Sequence, residues 1–309
     1  MDSLKNLPVE DNNPLVSIII PCYNHEKYVG QCLDSVLENN YKNKEIVIID
    51  DGSIDNSVQA IKNWINKNGK DIPVKFKSRP NKGITKTLNE LIHLSSGKFL
   101  CILASDDMLT KDSIQVRLKA LLQNPDKMAV MGDARVINEN GQVIMESAIE
   151  DCWNGNKENY KTDERLKYMV VYEWSVPGPV LMVNKNIYNL IGYYPENSSI
   201  DDLDFYLRAI GRDLVFFTDH IVAYYRILNT SLCRNKNNRK INITSIIKSY
   251  WKNMYLYQPK YRFKILKLIF YYFLELFPFF NKLFLIILLP YKILIKILRI
   301  HKKIISIIF

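Results

Sequence analysis

Cysteine, glycine and histidine are all scarce in this chain of 309 residues, and each scarcity closes off a class of protein. The five cysteines, Cys22, Cys32, Cys101, Cys152 and Cys233, are odd in number, widely spaced and mostly set in apolar segments. That argues against a disulfide framework or a thiolate metal site and favours a reducing compartment. Of the eleven glycines, none builds a glycine-rich phosphate loop after the first apolar run, where the chain instead reads PCYNH (21–25). The four histidines, His25, His93, His220 and His301, fall in no ligand cluster and are assigned no chemistry. The opening MDSLKNLPVEDNNP has neither a basic stretch nor an apolar core, so no signal peptide is expected. Long apolar runs are missing too. Within 262–309 the longest uncharged run, Leu283 to Tyr291, is nine residues, against the ~20 of a spanning helix. Acids are nearly absent from residues 220–309, where 17 Lys and Arg face only Glu275, a balance of +16. The first 219 residues carry −6, so the net +10 is not the charge of a nucleic-acid binder and belongs to the C-terminal part.

What is present is enough apolar residue, 48% of the chain, to bury a sizeable core. Over the first 130 residues, short apolar runs alternate with amphipathic stretches. LVSIIIP (15–21), KEIVIID (44–50), IPVKFKS (72–78) and GKFLCILA (97–104) read as strands covered on both faces. Segments 26–38, 55–67, 83–95 and 110–124 read as helices, the second capped by Asp55 and the last by Thr110. This alternation predicts an α/β fold, a mostly parallel central sheet with helices on both faces. Ligands of such sheets sit beyond the carboxyl ends of the strands.

Three polar clusters fall at those ends: PCYNH (21–25) after the first strand, DDGS (50–53) after the second and SDDM (105–108) after the fourth. Each alone has a structural explanation, DDGS for instance as a turn. Jointly they predict one crevice. Adjacent carboxylates at a buried strand end, Asp106 and Asp107, repel each other and are costly to desolvate, so a positive partner is expected there.

VSIIIPCYNHEKYVGQCLDSVLENNYKNKEIVIIDDGSIDNS and NKGITKTLNELIHLSSGKFLCILASDDMLTKDSI resemble the inverting glycosyltransferases of family 2, and the likeness runs more loosely to about residue 231. The resemblance implies the GT-A fold that binds nucleotide-diphospho-sugars. It implies that Tyr23 stacks on a uracil and Asp51 accepts from its N3–H, with Pro21, Asn24 and Asp50 in support. Asp106 would face the ribose, and Asp107 would bind Mg²⁺ or Mn²⁺ together with the donor diphosphate. Two departures stand out: Ala104 replaces a further acid of many members, and Leu228 replaces a histidine that relatives often place two residues after the arginine, here Arg226. Arg226 either faces the phosphates or is solvated on an edge strand.

SSIDDLDFYLRAIG (198–211) reads as a helix opened by acids, with Leu203, Leu207 and Ile210 on one face. It is similar to the family's acidic pair, whose second member, Asp202, would be the base that deprotonates the acceptor hydroxyl. The competing reading is acids favoured by a helix N-terminus. Asp204 reads as a surface acid, and Trp174 as core rather than a sugar-stacking face. The alternatives for the whole chain are a catalytically silent sugar-nucleotide-binding or scaffold protein and a sugar nucleotidyltransferase, the latter disfavoured by the missing glycine-rich loop.

The expected organisation is a polar tail (1–13), the GT-A domain (14–231), a basic linker (232–261) and an amphipathic helical tail (262–309). In that tail Lys292, Lys296, Arg299 and Lys303 share one helical face, as do Lys264, Lys267, Tyr271, Glu275 and Lys282. Thin basic stripes on apolar helices suit an anionic bilayer interface. A helical pair packed on the domain or in a dimer, and a re-entrant hairpin, are the alternatives. The expected partners are a nucleotide-sugar donor, a glycan or lipid-linked acceptor and the cytoplasmic membrane face, with no nucleic acid. Abundant Lys, Asn and Ile suggest an AT-rich bacterial genome and hence surface polysaccharide or glycolipid synthesis.

Overall fold

The computed structural model describes residues 13–228 and 239–276. The first half runs β1 (Val16–Cys22), α1 (Val29–Leu37), β2 (Lys44–Asp50), α2 (Ser57–Asn68), β3 (Val74–Ser78), α3 (Ile84–Leu94) and β4 (Phe99–Ile102). These strands pair in parallel in the order β3-β2-β1-β4, with Cys22 beside Asp50 and Ile19 beside Ile102. Side chains alternate across the sheet and so build two cores. Ile19, Val47, Ile49 and Leu100 join one, and Ile18, Ile20, Ile46, Ile48 and Cys101 the other. Burial on both faces is why β1 and β2 lack polar alternation. β3 is an edge strand and alternates Lys75 and Lys77 with Val74 and Phe76, charges that discourage edge pairing.

The second half runs β5 (Met108–Leu109), α4 (Ser113–Gln123), β6 (Ala129–Ile137), β7 (Val143–Met145), α5 (Asp163–Tyr172), β8 (Leu181–Asn184), α6 (Ile187–Ile191), α7 (Asp202–Ile210) and β9 (Val215–Arg226). Here the sheet becomes mixed. β8 is antiparallel to β4 and β6, β9 is parallel to β6, and β5 is antiparallel to β9, so that among the described residues nine strands form one sheet. Asp55 tethers the start of α2, its Oδ1 accepting from Ser57 N at 2.9 Å. Thr110 does not cap α4 with its hydroxyl, which is spent on Ile221 O at 3.1 Å, a bond that ties the β5 turn to β9.

Part of the stretch read as a linker is helical and packed. α8 (Arg239–Asn253) buries Ser245, Ser249, Tyr250 and Asn253, and Tyr257 donates to Leu207 O at 2.8 Å. α9 (Pro259–Leu276) buries Tyr261 and Ile265 against the core. The residues expected to form one basic stripe on α9 diverge: Lys264 Nζ lies 4.9 Å over the Tyr172 ring and Glu275 pairs with Arg239. The polar tail up to residue 12 and the stripe from Lys282 to Lys303 lie outside the described residues.

Candidate active site

Because β2, β1 and β4 are adjacent and parallel, their carboxyl ends deliver the three polar clusters to one edge of the sheet. Side chains then lock the clusters together. Asn24, held at a positive φ of 56°, accepts from Ile54 N at 2.8 Å through Oδ1, while its own N–H donates to Ser53 Oγ at 2.8 Å. This joins the PCYNH turn to DDGS. On the other side His25 Nδ1 lies 2.8 Å from Ser105 Oγ and 3.7 Å from Asp106 Oδ1, joining the same turn to SDDM. Pro21 and Tyr23 stand half-buried between these ties.

Asp50 closes its turn, Oδ1 accepting from Gly52 N at 3.2 Å and Ser53 N at 3.1 Å, while Oδ2 is buried without a partner among the described residues. Gly52 has φ +78°, and a Cβ there would meet Asn81 N at 2.6 Å, so this turn demands glycine twice over. Asp51 is buried and pairs with Arg79, and it also accepts from Lys82 N at 2.8 Å and Gly83 N at 3.0 Å. Three bonds on about four lone-pair sites leave one acceptor position for a ligand.

Asp107 is 3% exposed and accepts from Arg226 N at 2.8 Å. Burial first, then the neighbouring Asp106, pushes its carboxyl well above the usual range. Arg226 corrects the expectation of a solvated edge arginine: it is 1% exposed, on a strand paired on both sides. Its guanidinium donates to Asp106 O at 2.8 Å, to Asn138 O and Glu139 O at 3.0 Å and to Gln31 Oε1 at 2.8 Å, and it lies 4.9 Å over Tyr28. It holds the acid pair through backbone and shape. Among the described residues no three His, Cys, Asp or Glu side chains gather to hold a metal. The donor set fits a hard cation completed by substrate oxygens: one buried carboxylate with a raised pKa and a second carboxylate beside it.

Asp201 stands at the N-cap of α7 and Asp202 is its first residue. Asp202 is exposed, yet it is set among enough protein for desolvation to push its carboxyl up, and Asp201 beside it is raised to about 7 by burial and by the Asp202 charge. A carboxylate that solvent reaches but protein surrounds is characteristic of a cleft wall. The segment leading into α7 is tied to α3, Thr85 Oγ1 donating to Ser198 O at 3.1 Å, and α3 begins at the Ile84 that follows the Asp51-bound Gly83. Thus α3 runs from the Asp51 turn to the segment that leads into Asp201 and Asp202. Asp204 is no surface acid: it is 1% exposed and pairs with Arg208 at 2.8 Å. Trp174 packs on Tyr206 with ring centroids 4.4 Å apart.

Sequence reasoning passed over His25 and Arg79. Arg79 was signalled by position, since it directly follows β3, whose carboxyl end reaches the same edge. His25 carried the same sign as the last residue of PCYNH, and the adjacency of β1 and β4 puts it against Asp106.

The profile of "Glycosyl transferase family 2" matches residues 17–176, more than half of the chain and every strand-end cluster just described. The chain belongs to glycosyltransferase family 2. It is 35% identical over 144 residues to the chondroitin synthase of Pasteurella multocida, matching 45% of this chain and 15% of that protein. An uncharacterized glycosyltransferase of Methanocaldococcus jannaschii is 27% identical over 249 residues, 79% of this chain and 82% of the relative. The chain therefore spans only a small part of the synthase and most of the archaeal protein. In fold, it resembles S. aureus TarS in complex with UDP-GlcNAc, with a TM-score of 0.63 at 17% identity over 89% of this chain and 76% of that one. It also resembles the mannosyltransferase PcManGT from Pyrobaculum calidifontis in complex with GDP-Man and Mn2+, with a TM-score of 0.61 at 18% identity over 84% and 70% of the two chains. This glycosyltransferase thus has the GT-A fold that its family resemblance implied.

Proposed function

We propose that this glycosyltransferase moves a hexosyl or N-acetylhexosaminyl group, with inversion, from a UDP-sugar to a hydroxyl of a glycan or lipid-linked acceptor in bacterial surface polysaccharide or glycolipid synthesis. The observation that carries this reading is the presence of two chemically different acid sites, Asp107 in the turn after β4 and the Asp201–Asp202 pair at the start of α7, with α3 running from the Asp51-bound Gly83 to the segment that leads into α7. Tyr23 offers a ring to the base, and Asp51 keeps one acceptor site for an imide N–H. Asp106 faces the ribose. Mg²⁺ or Mn²⁺ held by Asp107 and the diphosphate would, when bound, offset charge on the departing group. Asp202 takes the proton of the attacking hydroxyl, and the upward shift that burial gives its carboxyl makes it a stronger base than an ordinary carboxylate. The enzyme works on the cytoplasmic face of the membrane, its basic C-terminal part turned to anionic lipid.

The ligands bound in the structural neighbours, UDP-GlcNAc in one and GDP-Man with Mn2+ in the other, support a sugar nucleotide and a divalent ion as a class. The test is a panel of sugar nucleotides with acceptor lipid extract, with either ion or excess chelator, followed by NMR of the product's anomeric carbon. An inverted product from a UDP-sugar is expected. Retained configuration, or nucleotide binding without any turnover, would overturn the reading, the latter in favour of a silent binding protein.

A further inference from the structure

α9 is apolar on two opposite faces. Tyr261, Ile265, Leu268 and Tyr272 form the face that packs on the core beside α5 and α8. Phe263, Leu266, Lys267 and Phe270, at the i, i+3, i+4, i+7 spacing of one helical stripe, form the other. Here Phe263 is 61% exposed and Leu266 40%. Trp251 at the end of α8 and Tyr255 are likewise exposed, 55% and 64%, and Arg262 joins Tyr255 to α9 by donating to its carbonyl at 3.1 Å. Cations are interleaved: Lys267 Nζ lies 4.3 Å over the Phe263 ring. Large apolar side chains exposed together in this way mark an interaction surface.

We propose that this aromatic and basic face docks on an anionic lipid surface. Charge chooses the occupant. Residues 239–276 hold eight Lys and Arg and a single acid, Glu275. The residues beyond, 277–309, hold six Lys and Arg and no acid, so folding them over the face sets positive against positive, and the same face of a second copy would do likewise. Anionic headgroups supply the missing sign. Aromatic rings settle at headgroup level, and lysine stems lie along apolar surface with their ammonium groups among the phosphates.

The placement also serves the reaction. α8 packs on α7, which begins at Asp202, and on the segment before it: Asn253 Nδ2 donates to Asp204 Oδ1 at 3.2 Å, and Ser199 Oγ donates to Ser245 Oγ at 3.2 Å. The lipid-facing surface is thereby one helix away from the acceptor-side acid. The inference rests on the membrane location proposed above and assigns the contact to α8 and α9.

Flotation of the full chain with phosphatidylcholine vesicles, with and without phosphatidylglycerol and at low and high salt, tests it. The wild type should float with the anionic vesicles and lose binding as salt rises. A Phe263→Ser/Leu266→Ser/Lys267→Glu variant should partition at least about tenfold less, a loss of about 1.4 kcal/mol. Trp251→Ser/Tyr255→Ser should weaken binding in the same direction, with circular dichroism and thermal midpoint unchanged in both variants because the altered side chains are exposed. A wild type that ignores anionic vesicles would overturn the membrane location and this inference together. A wild type that floats while both variants float equally well would overturn this inference alone, and so would a variant whose main change is in sedimenting mass.

Discussion

At the scale of single residues, three aspartates that look alike in sequence have become three different devices. Asp107→Asn keeps an acceptor for Arg226 N and removes a charge that burial already disfavours. The variant should melt no lower than wild type while losing the Mg²⁺- or Mn²⁺-dependent part of nucleotide binding; titration calorimetry with and without chelator measures this. Asp202 and Asp204 are two positions apart and should separate cleanly. Asp202→Asn should hold donor affinity within a few-fold and lose about 10²–10⁴ in rate, as for a missing general base. Asp204→Asn breaks a buried pair with Arg208 and should lower stability by about 3 kcal/mol, read by denaturant unfolding. Equal losses of rate with equal stability in the two variants would mean that the base is misplaced.

At the scale of elements, the crevice is assembled by short ties between strand ends, and Arg226 is the tie that spans most chain. It connects β9 with the turn after β4, with the turn after β6 and with α1. Arg226→Ala would empty a buried site and leave three part-buried carbonyls without their donor, and should cost about 3 kcal/mol. Arg226→Lys restores the charge but not the planar fork, so it should recover only part of that stability. The expected signature is a lowered thermal midpoint together with weaker metal-dependent nucleotide binding. A normal midpoint in Arg226→Ala would show that the β4 turn keeps its shape without the clamp.

For the molecule as a whole, the pH response should expose the cost of keeping raised acids in a cleft. Asp201, raised to about 7, binds a proton in the folded state that it has already lost when unfolded, so between about pH 4 and pH 7 its ionisation removes stability as pH rises. Asp201→Asn should therefore melt higher than wild type above that window and match it below, a difference that thermal scans across pH would show. Activity moves the opposite way. The base must be ionised and burial raises its carboxyl, so kcat/KM should climb with pH above the ordinary carboxylate range rather than within it. A rate already flat at pH 5 would mean that the pair is better solvated than its surroundings indicate.

Uninterrupted apolar runs at regular spacing made β1 to β4 and their parallel pairing legible in sequence, because burial on both faces leaves no polar alternation. The same regularity made the convergence of Asp51, Asp106 and Asp107 legible, since parallel strands carry their carboxyl ends to one edge. Burial of single polar groups was not legible. Asp204 and Arg226 sit in stretches whose pattern suits a surface equally well, and only packing of α7 against α8, and of β9 between β6 and β5, removes them from water. His25 meets Asp106 across 81 residues of chain. α9 shows most plainly what periodicity leaves open: a helix apolar nearly all round has no inner face of its own, and contact with α5 and α8 decided that Ile265 turns to the core and Phe263 to solvent.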